Sequence, residues 1–236
     1  MSDEKRPINI YGGINSIATS ATTATQTLNG PNGQAPQPAP VTQAEEVGEY
    51  HHFFTHDAIG VPKLIDHAKH HIVLHAAYYP KYSFDQQDTN VWNAMSHNTD
   101  LHLTAIFTDT EAAWADEFAR TLRPYFRTAG DLAKKMIPSR DFFIECEKEF
   151  KDKLGNSRVH IYNSARLPFF PVILIDDTLI IGHYAHASVI PPDGLWLTIR
   201  HPRIPEMYAT LSLGRTPTCS TQEEKAIVRY LEELIV

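Results

Sequence analysis

The chain has 236 residues, a formal net charge of -7, 42% hydrophobic residues and two cysteines. No apolar run reaches the roughly 18 residues of a membrane span. The net negative charge argues against general nucleic-acid binding or a general affinity for anionic membranes. Cys146 and Cys219 form neither a zinc spacing nor a disulfide framework, so a reducing, cytoplasmic setting is expected, with no metal and no cofactor. The start of the chain has no apolar h-region, so no signal peptide is expected.

Residues 1–48 read as a disordered low-complexity tail. From Pro7 to Ala44 there is no Asp, Glu, Lys, Arg or His. Pro31, Pro36, Pro38 and Pro40 make 30–48 a linker, partly in polyproline II form. Residues 8–29 are uncharged, rich in Thr, Asn and Gln, and dotted with Ile8, Ile10, Tyr11, Ile14 and Ile17. Such a composition stacks into cross-β structure when concentrated, because no like charges oppose it. In placement and composition the segment resembles the short amyloid-signalling motifs at the N-termini of some fungal immune-type proteins. That resemblance implies assembly through the tail.

Residues 49–236 alternate between helical and strand patterns. HHFFTH (51–56) is expected to dock the linker onto the domain. Apolar spacing predicts a helix over Asp57–His70, tolerating Pro62 near its start. A strand follows over 71–79, then a loop from Pro80 to Asp88 and a short helix over Val91–His97. Residues 101–107 form a second strand, with Leu101, Leu103, Ala105 and Phe107 on one face. Asp109 is expected to cap a helix running to Arg123, and a helical region over 129–154 to break at Pro138. Strands are predicted at 159–162, 171–176, 178–184 and 195–200, with an antiparallel hairpin turning at Asp176-Asp177. Helices near 203–212 and 221–235 close the chain, the latter with Thr221 as N-cap. This order predicts an α/β domain of three layers with a mixed central sheet.

FFPVILIDDTLIIGHY (169–184) has a frame that resembles the phospholipase D-like superfamily. Asp176 falls on the Asp of the family signature and Gly182 on its Gly, with an apolar strand-turn-strand between them. Ala68-Lys69 and the strands at 72–79 and 101–107 resemble the family's opening elements. The resemblance implies a three-layer domain and, for members with one signature copy, a homodimer. It also shows departures. The signature's nucleophilic His falls on Phe169 and its phosphate-binding Lys on Pro171; its Ser and Asn fall on His183 and Ala185. Phosphodiester chemistry of that type needs an imidazole to attack phosphorus and a cation to hold the oxygens. Phe and Pro supply neither, so the family's standard activity is not expected.

Other residues offer chemistry of their own. His183 and His186, three apart and followed by Ser188, suit acid–base work. His75 and Asp176 complete a candidate catalytic set, and Tyr78, Tyr79, Arg166 and Ser188 a candidate ligand-binding set. His67, His70, His71 and His75 crowd one stretch, and the helical stripe they suggest should break near His71. Tyr82 belongs with the aromatic loop after the first strand. Arg158, Arg166, Arg200, His201 and Arg203 suggest a basic rim. No Walker A, GxGxxG, GxSxG, CxxC or HExxH pattern occurs, and no repeat of 20–50 residues is found. Two functions fit: a non-catalytic signalling or interaction protein with a self-associating tail, and a hydrolase or phosphodiesterase with its site moved to His183 and His186.

Overall fold

The computed structural model describes residues 48–75, 86–122, 127–152, 154–168, 170–183 and 194–236. The tail, Tyr78, Tyr79, Tyr82, Phe169, Ala185, His186 and Ser188 lie outside these residues. In chain order the elements are β1 (Glu49–Phe53), α1 (His56–Ile59), α2 (Val61–Asp66), β2 (His71–His75), α3 (Gln86–His97), β3 (His102–Thr108) and α4 (Ala115–Thr121). They continue with α5 (Ala129–Glu149), β4 (Val159–Ser164), β5 (Val172–Ile175), β6 (Thr178–Gly182), β7 (Trp196–Arg200), α6 (Ile204–Ser212) and α7 (Gln222–Glu232).

The strands make one mixed sheet in the order β1-β7-β6-β5-β2-β3-β4. β2, β3 and β4 are parallel neighbours, whereas β2-β5, β5-β6, β6-β7 and β7-β1 are antiparallel. β2 therefore joins a parallel half to an antiparallel half. Central strands lose solvent on both faces, which is why VILI of β5 is buried at every position.

Alternation along the strands feeds two cores. Ile72, Leu74, Leu103, Ala105, Phe107, Ile173, Ile175, Ile180 and Trp196 pack with α2, α3, α4 and α5. Val73, Ile106, Val172, Leu174, Leu179, Ile181 and Ile199 pack with α6 and α7. These are the three layers expected, and Leu101, Leu103, Ala105 and Phe107 do share one core.

Several boundaries differ from the sequence reading, each for a local reason. The helix over 57–70 is two short helices, because Gly60 adopts φ 72, a left-handed value that no helix interior accommodates. Pro62 then starts the second helix. Asp109 caps a turn rather than a helix: its carboxylate accepts the Glu111 N–H, and α4 starts at Ala115. Pro138 does not break α5, which runs through it from a Thr128–Asp131 capping box. HHFFTH contains the end of an unpredicted strand, β1, paired with β7. α3 starts at Gln86, earlier than its apolar spacing begins. Thr221 is the N-cap of α7, in a capping box with Glu224.

Asp176 holds the two halves of the sheet together. Its carboxylate accepts the N–H groups of Lys69, His70 and His71 at 2.8, 2.8 and 3.0 Å. Its own N–H donates to the His71 carbonyl at 2.9 Å. With φ 49 it occupies the left-handed region, which Asp tolerates better than most residues. The β5-β6 turn is thereby tied to the entry into β2. Asp176→Ala strands these donors and puts alanine in a disfavoured conformation, so a loss of about 3 kcal/mol in unfolding free energy is expected. Asp176→Asn keeps a carbonyl acceptor and the tolerated backbone, so about 1 kcal/mol is expected. Urea unfolding measures both, and an Asp176→Ala variant as stable as the native chain would disprove the tie.

Candidate functional site

The register divides the sequence candidates between the two ends of the sheet. Asp176 lies beside His71, where Ile72 pairs with Ile175. His75 pairs with Val172 at the other end, and His183 follows Gly182 there. β5 separates Asp176 from that end by about 13 Å. Both carboxylate oxygens of Asp176 already accept backbone N–H groups. The structure thus brings His75 and His183 to one end and does not bring Asp176 to them.

At that end, on the α6–α7 face, stand His75, Thr108, Ser164 and His183. Strand alternation places them with Val73, Ile106 and Ile181 of the second core. His75 is 1% exposed, and neither ring nitrogen has a hydrogen-bond partner among the described residues. Thr108 is also buried, and its hydroxyl is unpartnered. His75 pairs with Ile106, two residues before Thr108, so the two Cα atoms lie about 8 Å apart. Sequence reasoning did not single out Thr108, because only the register aligns it with His75.

Arg166 is exposed; its N–H donates to Ser164 Oγ and its guanidinium to the Glu232 carbonyl of α7. Burial, and then the Arg166 charge, hold the His75 imidazole down at about 4. His75 is therefore neutral over the physiological range. His183 is exposed, and its ring lies 6.2 Å from that of Phe170 between centroids. Phe170 in turn meets Tyr230 of α7 at 5.8 Å. Two strands and two residues set His75 and His183 about 12 Å apart, too far for one to orient the other.

The face that the family resemblance points to is the opposite one. Ile173 and Ile175 belong to the first core, so alternation puts Pro171 on that side. The Pro171 carbonyl accepts the Gly182 N–H at 3.0 Å, and Gly182 pairs with Trp196. Trp196 is buried and packs edge-on against buried His56 at 4.9 Å.

The basic residues do not form a rim. Arg158 turns inward to the carbonyls of Met95, Asn98 and Leu101. Arg200 pairs with Asp177, and Arg203 with Glu206 and Glu224. His201 is buried and its Nδ1 accepts the Arg203 N–H. Among the described residues no group of three His, Cys, Asp or Glu side chains suits a metal ion. A groove of about 350 Å³ between α2 and α3 is lined by Asp66, Asn90, Asn93, His97 and Asn98, at the Asp176 end. No described helix is long and apolar enough to cross a membrane.

No protein-family model matches the chain, and no curated protein matches it. Among solved structures it is similar to TrmBL2, an archaeal chromatin protein, with a TM-score of 0.42 and 10% identity over 83% of this chain and 56% of that one. It is also similar to a phosphatidylserine synthase of Haemophilus influenzae, with a TM-score of 0.44 and 13% identity over 78% of this chain and 43% of that one. For NucT from Helicobacter pylori the TM-score is 0.39, with 10% identity over 80% of this chain and 99% of that one. The chain thus spans about half the length of the first two. Likeness at this level does not fix an activity.

The buried imidazole makes stability depend on pH. Folded His75 stays neutral down to about pH 4, whereas in the unfolded chain it takes up a proton near 6.5. Protonation therefore favours unfolding: stability is full above 6.5 and falls as pH drops to 4, by about 3 kcal/mol from this residue. His71 and His102 are lowered too, by burial first and neighbouring imidazoles second, and act in the same direction. Urea unfolding at pH 7 and pH 4 should show a steep native dependence and a shallower one in His75→Leu; parallel profiles would disprove the assignment.

Proposed function

We propose that this chain is a non-catalytic, phospholipase D-like domain acting in interaction or signalling, with a self-associating N-terminal segment and a body that pairs as a homodimer. The observation that carries this reading is the state of the signature positions. Pro171 stands where the signature has a phosphate-binding Lys, and Phe169 where it has its nucleophilic His. Asp176, the signature residue that remains, spends its carboxylate on backbone donors. An uncharged segment at 8–29 without an acidic or basic residue supports assembly as the working activity.

A second reading, a hydrolase or phosphodiesterase with a relocated histidine site, is favoured by the buried, unpartnered His75 and Thr108. Its candidate residues are His75, His183, His186 and Ser188, with Arg166, Tyr78 and Tyr79 for the ligand. Against it stand the weak basicity of His75, which burial and Arg166 hold at about 4, and the distant position of Asp176.

Assays of the native chain with generic phosphodiesters and phosphomonoesters, with added divalent metals, separate the two readings. No turnover above buffer is expected. Turnover abolished by His183→Ala or His186→Ala would overturn the non-catalytic reading. A peptide of residues 1–30 is expected to form fibrils and bind an amyloid dye; a peptide that stays monomeric at high concentration would overturn assembly through the tail.

A further inference from the structure

β4 closes one edge of the sheet, beyond β3. The Arg158 carbonyl accepts from Leu103 and the Ser164 carbonyl from Asp109. Even-numbered residues of the strand therefore direct their backbone groups at β3, and Ile161 and Asn163 direct theirs to the free side. The N–H of Val159, on that same side, is taken by Ser157 Oγ at 3.0 Å. Exposed edges are usually guarded by a lysine, a proline or a bulge. The strand VHIYNS contains neither lysine nor proline, and its pairing with β3 runs one to one from Val159 to Ser164, without a bulge. At the other edge, β1 begins with an exposed Glu49.

The sheet face next to this edge is partly exposed as well. The apolar residues of α6 and α7 pack with those of β2, β3, β5, β6 and β7, and Tyr208 of α6 lies near enough to Tyr162 of β4 for the two phenols to interact. His102 and His160 are exposed, and Tyr162 is 45% exposed. Their rings form a row across three strands. His71 and His102 lie 6.1 Å apart, His102 and His160 stack at 6.5 Å and 9°, and His160 and Tyr162 stack at 6.4 Å. Tyr208 of α6 flanks the row, 6.1 Å from His71. No residue of β2, β3 or β4 is Asp, Glu, Lys or Arg. In a chain of net charge -7 two copies repel over most of their surface. A strand with no charged residue of its own, with Arg140 of α5 donating to Asn163 Oδ1 as the one described cation bonded to it, and with backbone groups at Ile161 and Asn163 that no described residue pairs, is where they meet at less of that cost.

We propose that a second copy of this chain adds its β4 antiparallel to β4 about a two-fold axis at Tyr162, joining the two sheets and the two aromatic rows. The proposal rests on the homodimer in the reading above and names its surface. In this register Ile161 of one copy lies opposite Asn163 of its partner, and the two exchange N–H···O bonds. A register centred on Ile161 would instead need the Val159 N–H that Ser157 already holds. Tyr162 faces its mate in a non-hydrogen-bonded pair, with Cα atoms about 4.5 Å apart. That separation is within disulfide reach, about 4.4–6.8 Å.

The full chain, in a Cys219→Ser background that leaves only buried Cys146, provides the test. Light scattering across a concentration series reads the dimer, and oxidation of Tyr162→Cys reads the register. A dimer is expected whose dissociation constant rises at least tenfold in Tyr162→Lys and in Asn163→Pro, which removes an outward N–H without touching the β3 ladder. Tyr162→Cys should form a covalent dimer on oxidation, and His102→Cys, in the next strand, should not. A dimer indifferent to both substitutions, with no Tyr162→Cys cross-link, overturns the edge pairing while the homodimer stands. A chain monomeric at every concentration overturns both.

Discussion

The carboxylate of Asp176 is the contact on which the architecture turns. It reaches from the β5-β6 turn to three successive backbone N–H groups at the entry to β2. β2 is the strand at which a parallel half-sheet meets an antiparallel one. That link extends the short β2-β5 ladder, Ile72–His75 against Val172–Ile175, past its end. A left-handed φ of 49 at a non-glycine residue is tolerated because the side chain repays it with hydrogen bonds. A residue read from sequence as a member of a catalytic set thus acts as a brace.

The same geometry divides the chemistry of the chain. A mixed sheet with helices on both faces offers two faces at each end. Strand alternation puts Pro171 and Gly182 on the face of the first core, to which Trp196 belongs. The histidines that drew attention in the sequence lie elsewhere: His75 and His183 on the opposite face, and His71, His102 and His160 across the parallel half. Histidine density was therefore a poor guide to a single site. Among the described residues the imidazoles occupy separate buried positions at His56, His75 and His201, an exposed strand end at His183 and a ladder across β2, β3 and β4.

What could be read beforehand was whatever depends on local pattern. The apolar run of β5 requires a buried strand, and Leu101, Leu103, Ala105 and Phe107 alternate toward one core. Thr221 followed by Glu224 is a capping box on sight, strengthened by the Arg203 contact that only the fold supplies. What could not be read depends on tertiary context. Gly60 and Pro62 are compatible with one bent helix or with two, and the left-handed φ decides for two. β1 is short, polar and rich in histidine, and only its pairing with β7 makes it a strand. Thr108 becomes a neighbour of His75 through register alone, and Pro138 is carried by the packing of α5 on the first core.

The proposal at the centre of this account is that the braced α/β frame performs no phosphoryl chemistry through an imidazole. The most direct measurement is to incubate the native chain with a radiolabelled phosphodiester, quench in base and search for phosphohistidine, the adduct formed when an imidazole attacks phosphorus. The account predicts no label on any histidine. A base-stable, acid-labile label on His75, His183 or His186 would contradict it.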